Sequence, residues 1–92
     1  MLDESLKAIH ERDGRFYRGT LRERQILESE TSIVIIGDIE EGAKVISKGN
    51  VISTGTIYGT VIAGASGRYD AIIAALQIKR AKLKIGDIEV KP

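Results

Sequence analysis

Every sixth residue is apolar in the stretch from Leu21 to Ala63, which reads LRERQILESETSIVIIGDIEEGAKVISKGNVISTGTIYGTVIA. The series is Leu21, Leu27, Ile33, Ile39, Val45, Val51, Ile57 and Ala63. Because 42% of the chain is hydrophobic, an unbroken series of this length has a chance of about 0.1% of arising at random, or about 0.6% when the six possible phases are allowed for. The residues just before each member are mostly polar, and those before them are mostly small, so the order is not helical periodicity.

A period of six predicts a β-helix. Six residues supply one short strand and one corner, and three such sides close a triangular coil of roughly 18 residues. The aliphatic residue of each side points inward and stacks on its equivalent in the next coil, while small residues let the backbone turn the corner. A barrel or a hairpin meander would need longer strands or wider turn spacing. We therefore predict an all-β domain over residues 18–92, a triangular β-helix of about four coils.

The regularity weakens after Gly67. Residues 68–70 are expected to form a loop. The following stretch, AIIAALQIKRAKLKIGDIEV, fits either an amphipathic helix or more strands. We favour strands, because Lys82 and Lys84 alternate with apolar neighbours.

Residues 1–17 differ from the rest of the chain. Leu2, Leu6 and Ile9 have helical spacing, and Asp13-Gly14 is typical of a helix stop. A helix this short is marginal alone in water. We therefore interpret residues 1–17 as a linker or a short helix, with His10 an exposed polar position in it.

Composition excludes several classes of protein. The 92 residues contain no cysteine and one histidine, and their net charge is +1. Disulfides, thiolate metal sites and multi-histidine metal centres are therefore excluded, and a general nucleic-acid binder is disfavoured. No apolar run is long enough for a membrane helix, and no leader opens the chain, so we expect a cytoplasmic protein without direct membrane insertion.

Candidate catalytic groups are scarce. Acyltransferases built from hexapeptide repeats use a catalytic histidine, and residues 18–92 contain none. The glycines of TGTIYGTVIAGASG lack the GK[ST] ending of a phosphate-binding loop and are better explained as corner glycines. The carboxylates of Asp38, Glu40 and Glu41 fall at an outward turn, where solvated acids are common. We expect no enzyme activity, no catalytic residue, no metal and no cofactor.

Two charged clusters remain. Arg22-Glu23-Arg24-Gln25 lies at the start of the first coil and fits either a charged cap on the open end or a binding motif. The basic run Lys79, Arg80, Lys82 and Lys84 is more commonly a solvated face.

A further set of apolar residues falls outside the inward series, so some must be exposed or covered by a second copy of the chain. These residues include Ile35, Ile46, Ile52 and Ile62.

Several blocks of this sequence, taken in order, resemble the C-terminal domain of MinC, the bacterial inhibitor of septum assembly. The blocks are Gly37-Asp38-Ile39, Gly42-Ala43-Lys44-Val45-Ile46, Gly49-Asn50-Val51, Gly55, Ala63-Gly64-Ala65 and Ile85-Gly86. Members of that family carry an Arg-Ser-Gly-Gln motif at the start of the first coil. The aligned residues here are Arg22, Glu23, Arg24 and Gln25, so the outer Arg and Gln are kept. Tyr58 stands where many members have Arg.

The resemblance implies a right-handed β-helix that forms a homodimer through one apolar face. It also implies a non-enzymatic division regulator that binds the ATP-bound, membrane-associated MinD through residues Arg22–Gln25. Such a regulator blocks FtsZ ring assembly away from the division site, directly or through an N-terminal domain, and is recruited from the cytoplasm to the inner face of the membrane by MinD. On this basis residues 1–17 would be the linker of a longer protein or a short leader.

A structural protein is the alternative. Bactofilin-like β-helices share glycine-rich hexads and polymerise end to end, which is natural for coils whose ends are unpaired strands. Bactofilins lack the Gly-Asn-Ile plus Ala-Gly-Ala order.

Overall fold

The structure is a computed structural model that describes residues 16–91. These residues form eleven strands and no helix. In chain order the strands are β1 (Phe16–Arg18), β2 (Ile26–Ser29), β3 (Ile33–Ile36), β4 (Lys44–Ser47), β5 (Val51–Ser53), β6 (Thr56–Ile57), β7 (Thr60–Ala63), β8 (Ile73–Ala74), β9 (Gln77–Ile78), β10 (Lys82–Ile85) and β11 (Ile88–Val90). Residues 16–91 therefore contain no helix that is long and apolar enough to cross a membrane.

The strands wind into a triangular β-helix with three parallel faces. Face 1 is the sheet β1-β3-β5-β8, and face 3 is the sheet β2-β4-β7-β10. Face 2 is narrower, with single bridges from Leu21 to Ile39 and from Ile39 to Ile57, followed by the pair β6-β9. Each coil contributes one strand or bridge to every face, so the predicted fold of about four coils is confirmed.

The core is the column of inward side chains between the three faces. All members of the six-residue series from Leu21 to Ala63 are buried, as predicted. Ile35 is also fully buried, because Ile33 and Ile35 alternate inward along β3. Ile35, which falls outside the six-residue series, is therefore a core residue and not one of the exposed or paired members of its set: a four-residue strand sends two side chains inward, and the series includes only one of them.

Buried serines replace aliphatic residues where a face meets a corner. Ser47 Oγ donates a hydrogen bond to the carbonyl oxygen of Thr31 at 2.8 Å and accepts one from the Gly49 N–H at 2.9 Å. Ser53 Oγ lies in the same arrangement between the Gly37 carbonyl and the Gly55 N–H. The hydroxyls thus pair with backbone groups at the corners, which would be costly to bury without a partner.

One corner is shorter than the six-residue rule predicts. Five residues separate Ile39 from Val45, but only three separate Ile57 from Val61. In the parallel register Val61, not Ala63, therefore stacks on Val45. Ala63 continues the six-residue series and is buried, but it lies in line with the serine at the end of β4 rather than with the aliphatic row.

The C-terminal end of the β-helix is closed by a different strand direction. β11 pairs with β10 in antiparallel register, which ends the parallel stacking of face 3. The predicted loop at residues 68–70 is confirmed, and it lies against this hairpin: Tyr69 Oη donates a hydrogen bond to Asp87 Oδ1 at 2.9 Å. The strands favoured for the stretch after Gly67 are confirmed as β8 to β11.

The leading segment is described only in part. β1 begins at Phe16, so Phe16 and Tyr17, which the sequence placed in the leading segment, are strand residues of the first coil. The helical interpretation of the preceding residues, and with it His10, lies outside the described residues.

Candidate partner-binding corner

The four residues Arg22–Gln25 lie at the corner where face 2 passes into face 3, in the first coil. The equivalent corners of the following coils are Glu40–Ala43, Tyr58–Gly59 and Lys79–Ala81. We call this edge of the β-helix the 2–3 corner. It presents two Arg and one Glu in the first coil, two Glu in the second, and Lys79 and Arg80 in the fourth.

Gln25 closes the turn of the first coil. Its Oε1 accepts a hydrogen bond from the Arg22 N–H at 2.7 Å, and its own N–H donates to the Arg22 carbonyl at 3.0 Å. These two bonds fix the backbone that carries Glu23 and Arg24. The structure therefore gives Gln25 a positioning task within the turn, which sequence reasoning did not anticipate.

Arg22 points into solvent at the start of the turn. Its guanidinium Nη1 lies 3.7 Å from Glu40 Oε2 of the next coil, and the two side chains are 70% and 44% exposed. An ion pair this long and this exposed contributes little to stability. Because this ion pair is weak, the guanidinium group of Arg22 can bind a carboxylate on another protein through its planar set of N–H donors.

Arg24 has a left-handed backbone, with φ at 73°. Gly42, the equivalent residue one coil on, has φ at 91°. Such angles favour glycine and cost other residues conformational energy. The geometry explains why the family motif has Gly at this position and shows that the Arg here occupies a backbone conformation made for glycine.

Glu23 lies over the backbone of the second coil. A Cβ atom on Gly42 would come within 2.7 Å of Glu23 Cγ. The Glu23 side chain therefore covers the position that a larger residue at 42 would fill. Together Glu23 and Arg24 add two charged side chains to a turn where the family motif has two small residues.

The short third-coil corner leaves a notch in the 2–3 corner. Gly59 is pressed so far inward that a Cβ there would lie 2.6 Å from the carbonyl oxygens of Glu40 and Ala43. The resulting cavity has a volume of about 720 Å³. Residues that line it include Glu41, Tyr58, Gly59, Lys79, Arg80 and Lys82. The shortened spacing from Ile57 to Val61 was a sequence signal for this notch. It was missed because Ala63, six residues after Ile57, is also apolar and continues the series.

The outer side of face 1 carries a contiguous apolar row. Phe16, Val34, Ile52 and Ala74 lie in register across β1, β3, β5 and β8. Phe16 is 61% exposed and Ile52 40% exposed. Ile36 at the end of β3 and Leu76 just after β8 add further exposed apolar surface. Of the outward candidates from the sequence, Ile52 lies here, whereas Ile46 and Ile62 are half-buried neighbours on face 3.

The residues that carry the family resemblance hold coils together. Asp38 Oδ1 accepts a hydrogen bond from the Thr56 N–H at 2.8 Å, one coil away. Asn50 Oδ1 accepts one from the Ile72 N–H at 2.8 Å and so binds the last coil just after the loop at residues 68–70. These contacts explain the Gly-Asp and Gly-Asn blocks as corner structure rather than as partner contacts.

Within residues 16–91, no group of three or more His, Cys, Asp or Glu side chains is placed to hold a metal ion. Among the described residues, the pKa shifts fall in the loop at residues 68–70, away from the 2–3 corner. The hydrogen bond to Asp87, together with its negative charge, raises the pKa of Tyr69, and the Arg68 guanidinium lowers the pKa of the Asp70 carboxyl.

Comparison with known proteins gives one answer. The family described as septum formation inhibitor MinC, C-terminal domain, matches residues 15–91. A probable septum site-determining protein MinC from Agathobacter rectalis is 43% identical over 77 residues, covering 84% of this chain and 32% of that protein. Its counterpart from Acetivibrio thermocellus is 37% identical over 86 residues, covering 94% of this chain and 38% of that protein.

A solved structure supports the same family. A chain of the MinC:MinD cell division protein complex of Aquifex aeolicus superposes with a TM-score of 0.77 at 33% identity, covering 86% of this chain and 68% of that one. The present chain spans about a third of the length of the curated relatives it matches. From the coil architecture, the corner blocks and these matches, the chain belongs to the family of MinC C-terminal domains.

Proposed function

We propose that this chain is the dimerisation and MinD-binding domain of a MinC-type division inhibitor. The observation that carries the proposal is the similarity of this chain to a chain of the MinC:MinD complex. The similarity covers 86% of this chain at 33% identity, so it lies in the sequence as well as in the fold. The protein acts by binding other proteins, not by catalysis.

The 2–3 corner is the surface that we assign to MinD. Three features support it: the weakly paired guanidinium group of Arg22, the turn fixed by Gln25, and charges of both signs along successive coils. Complementary charges on a partner would set orientation and association rate more than affinity. Arg22, Glu23 and Arg24 contact the partner, while Gln25 holds the turn in shape.

Face 1 is the surface that we assign to a second copy of the chain. Its outer row from Phe16 to Ala74 is contiguous and apolar, and monomeric proteins rarely leave such a row uncovered. A two-fold dimer would place the same row on both partners and bury it. Faces 2 and 3 offer no comparable row, because charged residues interrupt them.

The remaining steps belong to the larger protein. Its relatives are about two and a half times as long as this chain. ATP-bound MinD recruits the dimer from the cytoplasm to the inner face of the membrane. There the MinC-type protein opposes FtsZ ring assembly, through this domain or through another part of the chain.

The bactofilin-like alternative has less support. A polymer would continue the parallel stacking of coils from one molecule to the next, and the antiparallel β11 interrupts that stacking on face 3. Discrete dimers in sedimentation velocity would agree with the regulator, whereas filaments would favour the polymer.

A binding measurement tests the proposal. We expect the chain to bind ATP-loaded MinD from the same organism, and to bind ADP-loaded MinD more weakly. Arg22→Ala should weaken binding about tenfold, because truncating an interface Arg often costs more than about 1 kcal/mol. Arg68→Ala is the matched control, since Arg68 also forms one exposed ion pair, with Asp70. No binding by the unaltered chain, or equal losses from both variants, would contradict the proposal.

A further inference from the structure

One wall of the notch in the 2–3 corner is basic, and its side chains form no ion pair within residues 16–91. Lys79, Arg80 and Lys82 of the fourth coil line one side of it, and Glu41 of the second coil lines the other. The ion pairs formed within residues 16–91 involve Arg22, Lys48 and Arg68, so none of them includes a cation of this wall. The three cations are exposed and gather their charge around one concave space.

Backbone geometry holds this wall in place. Arg80 has φ at 54°, the left-handed conformation also found at the equivalent corner of the first coil. The Lys82 N–H donates a hydrogen bond to the Gly59 carbonyl at 3.1 Å, which ties the wall to the floor of the notch. The bound backbone fixes where the three side chains start and so keeps their charges close together.

The shape and the mixed charge indicate what fits. An anionic bilayer surface is broad and flat, and Glu40 and Glu41 on the same corner would be repelled by it. A protein segment is narrow enough to enter the notch, and it can present carboxylates to the lysines while avoiding Glu41. Tyr58, 41% exposed, offers an aromatic side wall on which the aliphatic part of such a segment can pack.

We propose that the notch receives a carboxylate-bearing segment of the same ATPase that contacts Arg22, so that the binding surface extends along the 2–3 corner from the first coil to the fourth. This inference rests on the proposed binding of MinD. It adds a second, independent anchor: Arg22 and Arg24 at one end, and the lysines and Arg80 at the other. The acidic second coil lies between them and sets the register of a partner with alternating charges.

The test compares two double variants with identical changes in net charge. Lys79→Glu with Lys82→Glu reverses the charge of the notch wall. Lys84→Glu with Lys91→Glu reverses two exposed lysines that do not line it. All four side chains are exposed, so both variants should melt at the temperature of the unaltered chain. We measure the Kd for ATP-loaded MinD from the same organism at low and at high salt.

We expect the notch variant to bind about tenfold or more weakly than the control variant. The difference should shrink at high salt, because screening weakens exposed charge pairs. Equal affinities for the two variants, with Arg22→Ala still impaired, would overturn the notch while leaving the proposed function standing. Absence of binding by the unaltered chain would overturn both.

Vesicles rich in phosphatidylglycerol supply the second arm. Without MinD, neither the unaltered chain nor the variants should co-sediment with them. Vesicle binding that the notch variant alone loses would overturn the proposal and make the basic wall a membrane contact.

Discussion

Arg24 donates its backbone N–H to the carbonyl oxygen of Gly42 at 3.0 Å, and both residues have left-handed backbones. The two corners are thus stacked copies of one turn, and only the second has the residue that this conformation favours. The first coil holds a strained corner at the surface assigned to the partner.

The first prediction concerns this strain. Arg24→Gly should raise the free energy of unfolding by about 1 kcal/mol, because glycine adopts positive φ without a Cβ penalty, although it also gains entropy in the unfolded chain. Urea denaturation measures the change. Arg22→Gly is the control, since Arg22 is not among the residues with positive φ. Its expected effect is a loss of stability, and a gain there as large as that of Arg24→Gly would argue against the strain.

The second prediction tests the core register. Val51 is fully buried and stacks between Ile33 and Ile73. Val51→Asp should cost several kcal/mol and unfold a domain of this size, because it buries an unpaired charge. Circular dichroism should show loss of the strand signal at room temperature. A variant that melts like the unaltered chain would contradict the inward position of Val51.

The six-residue series predicted the fold because an inward aliphatic position is the strongest constraint in a β-helix. It did not predict the third-coil corner, which is two residues shorter than the others, so that Val61 is the residue that stacks on Val45. A corner shortened by two residues shifts the chain by one pleat repeat, so the next residues inward are again apolar. The pattern continues at Ala63 while its stacking partner changes, and only the ladder between β4 and β7 reveals the difference.

The site was less predictable than the fold. The sequence placed Arg22, Glu23, Arg24 and Gln25 together only because they are adjacent in the chain. That Gln25 serves the turn depends on a side-chain hydrogen bond, and that Lys79 and Arg80 share an edge with Arg22 depends on coil stacking. Such contacts join residues far apart in sequence and have no local signature.

The third prediction concerns the apolar face. Ile52→Glu should convert the dimer to a monomer in sedimentation velocity at tens of micromolar, because a charge at the centre of face 1 would be buried without a partner. Ile26→Glu is the matched control: Ile26 is 44% exposed, close to the 40% of Ile52, but lies on face 3. Dissociation by both variants, or by neither, would exclude face 1 as the dimer surface.

The fourth prediction follows from the raised pKa of Tyr69. Its phenol should titrate above the ordinary value of 10.0, because the hydrogen bond to Asp87 and the carboxylate charge both favour the protonated form. A raised pKa in the folded state means that the contact stabilises the fold at lower pH and is lost as pH rises through the raised value. The difference in ultraviolet titration between the unaltered chain and Tyr69→Phe isolates this group. Asp87→Asn should lower its midpoint, and an unchanged midpoint would exclude Asp87 as the cause.

The last prediction concerns the altered motif. Glu23→Ser with Arg24→Gly restores the family sequence Arg-Ser-Gly-Gln between Arg22 and Gln25. The turn should keep its shape, because Gln25 Oε1 bonds the Arg22 backbone, which the double variant does not change. Glu23 and Arg24 carry opposite charges, so net charge is also unchanged, and any difference in MinD binding must come from local contacts.

Two partners separate the possible causes. If this chain has co-adapted with the MinD of its own organism, the double variant should bind that MinD more weakly and a MinD from a relative with the family motif more tightly. Arg24→Gly alone separates the two effects: relief of backbone strain should raise stability, whereas loss of the Arg24 side chain from the partner surface should lower the affinity for MinD. If the double variant and Arg22→Ala both bind as the unaltered chain does, the four residues are a solvated edge and the partner surface lies elsewhere.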